Sequence, residues 1–311
     1  MVVDPPDTRS ADEFSLASLC DAKGSTTISV CLPARNEAAT VAPIVESIVR
    51  HFGPHAAGVP LVDEVIVMDD GSVDATAEVA ARAGATVVAV DSVLADAGPG
   101  AGKGNVLWKS VAASGGDIVV WIDADLRSFT PSYVLGLLGP LLEDPEIAMV
   151  KGFYERPEHA GVGGGRTTEL MARPVLATFF PELAMIRQPL GGEYAARRSI
   201  LEQVPFAQGY GVETGLLIDV AHLVGVDRIA QVDLGTRSHR NRPLRALSQQ
   251  AMEVLHAALR RVDGGDALTR STVLARPDAA PVEIQVDERP PLLEVPGYRS
   301  PGGEGQWCST H

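Results

Sequence analysis

Between Thr26 and Asp125, short β-branched apolar runs alternate with segments whose apolar residues recur at helical spacing, and this alternation constrains the fold more than any other feature. TTISVCLPA is a strand ended by proline, and NEAATVAPIVESIVRHF that follows it reads as a helix. The unit recurs as VDEVIVMDDGS before VDATAEVAARAG, as ATVVAVDS before the loop DAGPGAGKG, and as NVLWKSVAASGG before DIVVWIDAD. Such a rhythm predicts an α/β fold with a largely parallel sheet and ligands at the carboxyl ends of its strands.

Past Asp125 the rhythm loosens. A helix is expected around Pro131 to Leu142, a strand around Ile147 to Gly152, and a further helix opened by the glycines at 161–165. The sequence divides into an N-terminal extension (1–25), a half of regular strand–helix alternation (26–130), a looser half that looks like an acceptor region grafted on the sheet (131–263) and a Pro/Gly-rich tail (264–311) expected to be mobile or loosely docked.

Charge and composition exclude several classes of partner. The 311 residues carry 26 Lys+Arg against 40 Asp+Glu, and the resulting net charge of −14 repels a phosphate backbone, so nucleic acid is not an expected partner. No run approaches the roughly 18 apolar residues of a membrane span, and MVVDPPDTRSADEF lacks the basic-then-apolar order of a signal peptide. A cytoplasmic location is expected. Cys20, Cys31 and Cys308 are odd in number and widely spaced, which argues against a disulfide framework, and Cys31 reads as a small core residue.

Candidate chemistry lies at the strand ends. Asp123 and Asp125 close IVVWIDAD; on an extended strand residues two apart share a face, so both carboxylates would meet one ligand, suiting Mg²⁺ or Mn²⁺ bound together with substrate phosphates. Pro33-Ala34-Arg35-Asn36-Glu37 and Asp69-Asp70-Gly71-Ser72 are turns able to read a base and ribose, or simply helix caps. GPGAGKGN fails as a P-loop, because Ala97 stands at the first glycine position and Gly104 follows the lysine, yet Lys103 among glycines can approach an anion. Gly165, Arg166 and Thr168, where a glycine run opens a helix, form a candidate phosphate site. His239 in RSHRNRPLR is either a structural histidine, as isolated ones more often are, or a neutral metal ligand, a better fit among arginines than an imidazolium.

PARNEA, DDGSVD, GKGNVLWKS, DADL, VKGFYERP, GGGRTTEL, QPLGGEYAARR, VPFAQGYGVETGLLID and HRNRPL, in that order over residues 26 to 247, resemble the actinobacterial glucosyl-3-phosphoglycerate synthases. These are retaining glycosyltransferases with the GT-A, Rossmann-like nucleotide-sugar-binding fold. The resemblance implies transfer of glucose from UDP-glucose to the 2-hydroxyl of 3-phosphoglycerate, dependence on Mg²⁺ or Mn²⁺, and a homodimer. It puts uridine and ribose contacts on Pro33, Ala34, Glu37, Asp70 and Lys103, with Asp123 and Ala124 beside them, and metal ligands on Asp125 and His239. Acceptor contacts fall on Gly165, Arg166, Thr168 and Asn241, the glucose site on Leu190, Tyr210 and Glu213, and the donor diphosphate on Arg237. Arg237 and Lys103 would stabilise the leaving group, with Glu213 an orienting residue or weak base. Arg35-Asn36 replaces the family's frequent Leu-Asp, Asp70 a frequent serine, and Ser238 an acidic residue, so the preferred nucleotide is open. Mannose or glycerate in place of glucose or phosphoglycerate is the nearest alternative. A non-catalytic nucleotide-sugar-binding module is the alternative of another class; a nucleotidyltransferase is disfavoured because no early G-x-G-T/S-R follows the first strand.

Overall fold

The computed structural model describes residues 6–53, 56, 60–155, 165–236, 244–265 and 268–301. Its centre is an eight-stranded sheet of β1 (Thr8–Ser10), β2 (Ile28–Ala34), β3 (Glu64–Asp69), β4 (Thr86–Ala89), β5 (Ile118–Trp121), β6 (Met149–Glu155), β7 (Tyr194–Arg197) and β9 (Ile229–Thr236). The short β8 (Phe206–Ala207) lies outside this sheet. The strand order is β1-β9-β6-β7-β5-β2-β3-β4. Every pairing in it is parallel except those of β7 with β5 and β6.

The near-continuous apolar strands follow from burial on both faces. Along β2, Val30 and Leu32 enter one core cluster while Cys31 enters the other; along β5, Ile118 and Val120 face the first and Val119 and Trp121 the second. Burial pushes the Cys31 thiol up to about 12, so it behaves as a small apolar residue. The helix Val41–Phe52 turns Val41, Ile44, Val45, Ile48 and Phe52 inward, the i, i+3, i+4, i+7 spacing visible in the sequence.

β7 decides where the site forms. Because it runs against its neighbours, its start lies level with the carboxyl end of β5, where Tyr194 pairs with Trp121 on one side and with Lys151, midway along β6, on the other. The loop entering β7 is thereby delivered to the edge at which parallel strands present their ligand-binding loops.

Both terminal segments pack on the sheet domain, and the C-terminal one differs from the loose tail expected of its composition. The N-terminal extension belongs to the core: β1 pairs in parallel with β9, and Ala11, Phe14 and Leu19 are buried. Phe14 lies so close to Gly139 that a Cβ there would fall 2.3 Å from the ring. The tail is docked rather than loose over residues 284–298. After the hairpin of β10 (Val273–Arg276) and β11 (Ala279–Glu283), β12 (Glu288–Arg289) pairs with β8, and Ile284, Leu292 and Val295 are buried. A composition rich in proline and charge concealed three spaced apolar anchors. Among the described residues no helix is long and apolar enough to cross a membrane.

Candidate active site

β2 and β3 end in register, Ala34 opposite Asp69, so the two turns after them meet side by side. They bond to each other rather than acting only as caps of their own helices. The Asn36 amide donates to Ser72 Oγ at 3.0 Å and the Val73 amide to Asn36 Oδ1 at 2.9 Å; Asn36 adopts φ 59°, which asparagine tolerates. Arg35 pairs with Asp70 across the turns at 3.4 Å. Burial raises the Asp70 carboxyl above its ordinary range, Arg35 opposes the rise, and Asp91 and Asp69 add to it.

Lys103 stands in the first turn of the helix Gly102–Ala113 and joins three elements. Its Nζ lies 2.7 Å from Asp123 Oδ1 and 2.8 Å from Glu213 Oε1, the latter in the first turn of the helix Val212–Val224. Burial works against the ammonium, but Asp123 and Glu213 outweigh it and hold Lys103 well above its usual range. The glycines around it serve the protein's own close packing. A Cβ on Gly104 would fall 1.8 Å from the Ala207 carbonyl, and one on Gly102, at φ +75°, 2.7 Å from Gly209 Cα.

β5 stops at Trp121, and Ala124-Asp125 form a turn, which corrects the extended-strand argument for Asp123 and Asp125. Asp123 is partly buried and committed to Lys103, whereas Asp125 is exposed. Both carboxylates bear electrostatically on Glu37: burial raises its pKa first, Thr40 opposes, and Asp125, Asp74 and Asp123 raise it further. Oxygen donors at high negative charge density fit a hard divalent cation that completes its shell from phosphate and water. Among the described residues no cluster of three His, Cys, Asp or Glu is spaced to enclose a metal on its own. Arg237, His239 and Asn241 lie outside the described residues.

The remaining expected residues occupy the neighbouring edge. Pro33 and Ala34 end β2, and Ala124 is buried beside Asp123. Gly165, at φ +86°, leads into a helical segment in which Arg166 is part-exposed and Thr168 buried. The helix Leu244–Leu259 packs against both Thr168–Ala172 and Gly209–Gly211, tying the segment that follows Arg166 to the segment that carries Tyr210. Tyr210 is 39% exposed, and its amide donates to Glu253 at 2.7 Å.

Sequence reasoning missed the floor of the site. Lys151 on β6 is 1% exposed, donates to the Gly191 carbonyl at 2.6 Å and sits 4.2 Å from the centre of the Tyr194 ring. Burial lowers it to about 8; Glu213, Glu193 and Asp123 oppose that shift and Lys103 adds to it. Gly192, next along the loop, lies against the ion pair, since a Cβ there would fall 2.5 Å from both Asp123 Oδ2 and Lys103 Nζ. Leu190 immediately precedes these glycines. A single lysine inside the apolar run IAMVKGFY was the available signal.

Comparison with known proteins supplies the context. The model of the family described as glycosyl transferase family 2 matches residues 29–207. The glucosyl-3-phosphoglycerate synthase of Mycolicibacterium smegmatis is 49% identical over 83% of this chain and 86% of its own. The crystal structure of the Mycobacterium tuberculosis glucosyl-3-phosphoglycerate synthase with Mn²⁺, UDP-glucose and phosphoglyceric acid superposes with a TM-score of 0.84 at 44% identity, covering 94% of this chain and 99% of that one. The same enzyme with Mn²⁺, UDP and glucosyl-3-phosphoglycerate gives 0.82 at 44% identity, covering 93% and 99%.

Proposed function

The chain belongs to glycosyl transferase family 2, and from that membership we propose that it transfers glucose from UDP-glucose to the 2-hydroxyl of 3-phosphoglycerate, yielding glucosyl-3-phosphoglycerate and UDP. The observation that carries this reading is the Lys103 ammonium held between Asp123 and Glu213 at the carboxyl edge of a GT-A sheet. It joins the donor-side loops to the helix that bears Glu213.

Pro33, Ala34, Glu37, Asp70 and Lys103 take the uridine and ribose, with Asp123 and Ala124 beside them. Lys103 and Arg237 face the diphosphate, and Leu190, Tyr210 and Glu213 line the glucose. Gly165, Arg166, Thr168 and Asn241 hold the acceptor's phosphate and carboxylate. A divalent cation, Mg²⁺ or Mn²⁺, held through Asp125 and His239 would supply Lewis-acid stabilisation of the departing diphosphate. The bond from the anomeric carbon to the diphosphate oxygen breaks, and the acceptor oxygen bonds to that carbon. The acceptor's proton passes to the leaving phosphate oxygen, so attack on the face it vacates retains configuration without an enzyme nucleophile. Glu213, paired with Lys103, orients the sugar. We place the enzyme in the cytoplasm and read it as a homodimer.

The test is UDP release from UDP-glucose, Mg²⁺ and 3-phosphoglycerate, with controls lacking acceptor or containing EDTA, and the anomeric configuration of the product read by NMR. Release that depends on both acceptor and metal and gives an α-glucoside is expected. Release without acceptor, or none at all, rejects the reading. The Arg35–Asp70 pair at the base loop is specific reason to run GDP-glucose in parallel.

A further inference from the structure

We propose that Arg289, reaching in from the C-terminal segment, is a positioning residue for the donor site: it fixes the loop from Ala97 to Gly104 and through it places Lys103 against Asp123 and Glu213.

Arg289 is 5% exposed. Its Nε donates to Asn105 Oδ1 at 2.9 Å, Nη1 to the Ala97 carbonyl at 2.7 Å and Nη2 to the Gly98 carbonyl at 2.9 Å, while the guanidinium carbon lies 5.1 Å from the centre of the Trp108 ring. One planar fork therefore grips the loop's first two carbonyls and a side chain in the first turn of the helix that carries Lys103. Among the described residues no carboxylate forms an ion pair with it. Burial lowers its pKa, the mark of a cation solvated by neutral acceptors alone. The role of this cation is therefore geometric, because a guanidinium matches three acceptors in fixed directions and an ammonium does not.

The loop depends on that grip. Gly98 and Gly102 have φ of +77° and +75°, and a Cβ on Gly100 would fall 2.2 Å from both Arg289 Nη2 and Asn105 Oδ1, so the chain wraps directly on the guanidinium. Its far end is held from the same side: the Ala101 amide donates to Gln208 Oε1 at 2.8 Å, and the Gln208 amide to the Asp287 carbonyl at 2.8 Å. Trp108 Nε1 donates to the Pro290 carbonyl at 2.8 Å, and β12 pairs with β8 one residue before Gln208. Two residues beyond the loop's second glycine of positive φ, Gly104 packs on Ala207. A segment beyond the 29–207 family match thus shapes the loop that presents the donor-site lysine.

The inference rests on the reading of Lys103 as a donor-site residue, and its test separates the two. Arg289→Lys and Arg289→Met are compared with the unchanged protein by amide exchange of peptide 97–105 without nucleotide, by UDP affinity, and by KM for each substrate. Faster exchange confined to 97–105, about tenfold weaker UDP binding and a matching rise in the UDP-glucose KM are expected, with the 3-phosphoglycerate KM within about twofold of the original. A folded Arg289→Lys variant with unchanged exchange and UDP affinity would overturn the proposal. So would an unmutated protein in which UDP protects 97–105 but leaves 284–292 unaffected, a measurement that decides the matter even if Arg289→Met does not fold. If the unmutated protein binds no UDP, the functional reading fails, while exchange in the nucleotide-free variant still decides what Arg289 holds.

Discussion

Replacing Lys151 by methionine tests the electrostatics beneath the site. The ordinary lysine value is 10.5, and burial, opposed by Glu213, Glu193 and Asp123 and aided by Lys103, lowers Lys151 to about 8 in the folded protein. Below pH 8 the amine is charged whether the chain is folded or not, and burying that charge costs roughly 3 kcal/mol relative to the neutral amine. Between pH 8 and 10.5 the unfolded chain binds more protons than the folded one, so the penalty is relieved and stability from this group rises with pH. From pH 7 to pH 9.5 the relief amounts to about 2 kcal/mol. Urea unfolding of the wild type and Lys151→Met at both pH values reads it out, because titrations of groups remote from Lys151 cancel in the difference. The wild type should gain about 2 kcal/mol on the variant over that range. A difference that stays constant within about 0.5 kcal/mol would refute the depressed lysine and the burial argument behind it.

Gly192→Ala drives a methyl group between Asp123 and Lys103, so kcat/KM should fall at least about tenfold while the far-UV spectrum is retained; an unchanged steady-state rate would show that the loop yields. Arg166→Lys keeps the charge but loses the planar fork, and the KM for 3-phosphoglycerate should rise roughly tenfold or more with that for UDP-glucose unchanged. Asp125→Asn should lower kcat/KM by about two to three orders of magnitude and blunt the response to added Mn²⁺ in a UDP-release assay.

The alternation of strand and helix was legible because its signals are local. Apolar runs such as IVVW, the period of VAPIVESIVRHF and the prolines and glycines at their ends act within a few residues of themselves. The same holds for the candidate loops, which the topology of a parallel sheet sends to one edge. Asp123 and Asp125 lie beyond the strand their apolar run suggests, because β5 ends where its pairing ends, at Trp121, and strand propensity does not register where pairing stops.

Local signals in the sequence carry the α/β class, the carboxyl-edge position of the loops that hold Glu37, Asp70 and Asp123, and, through colinear motifs, the family. The antiparallel course of β7, which brings Gly191 and Gly192 onto Lys151, Lys103 and Asp123, emerges from the assembled fold. So do the burial of Phe14 in the core and the grip of Arg289 on a loop nearly two hundred residues away. These contacts join residues distant in sequence. Burial, a shared proton affinity or a fork of hydrogen bonds arises only when the fold has brought both partners out of water, and neither partner alone carries a local signal of the other.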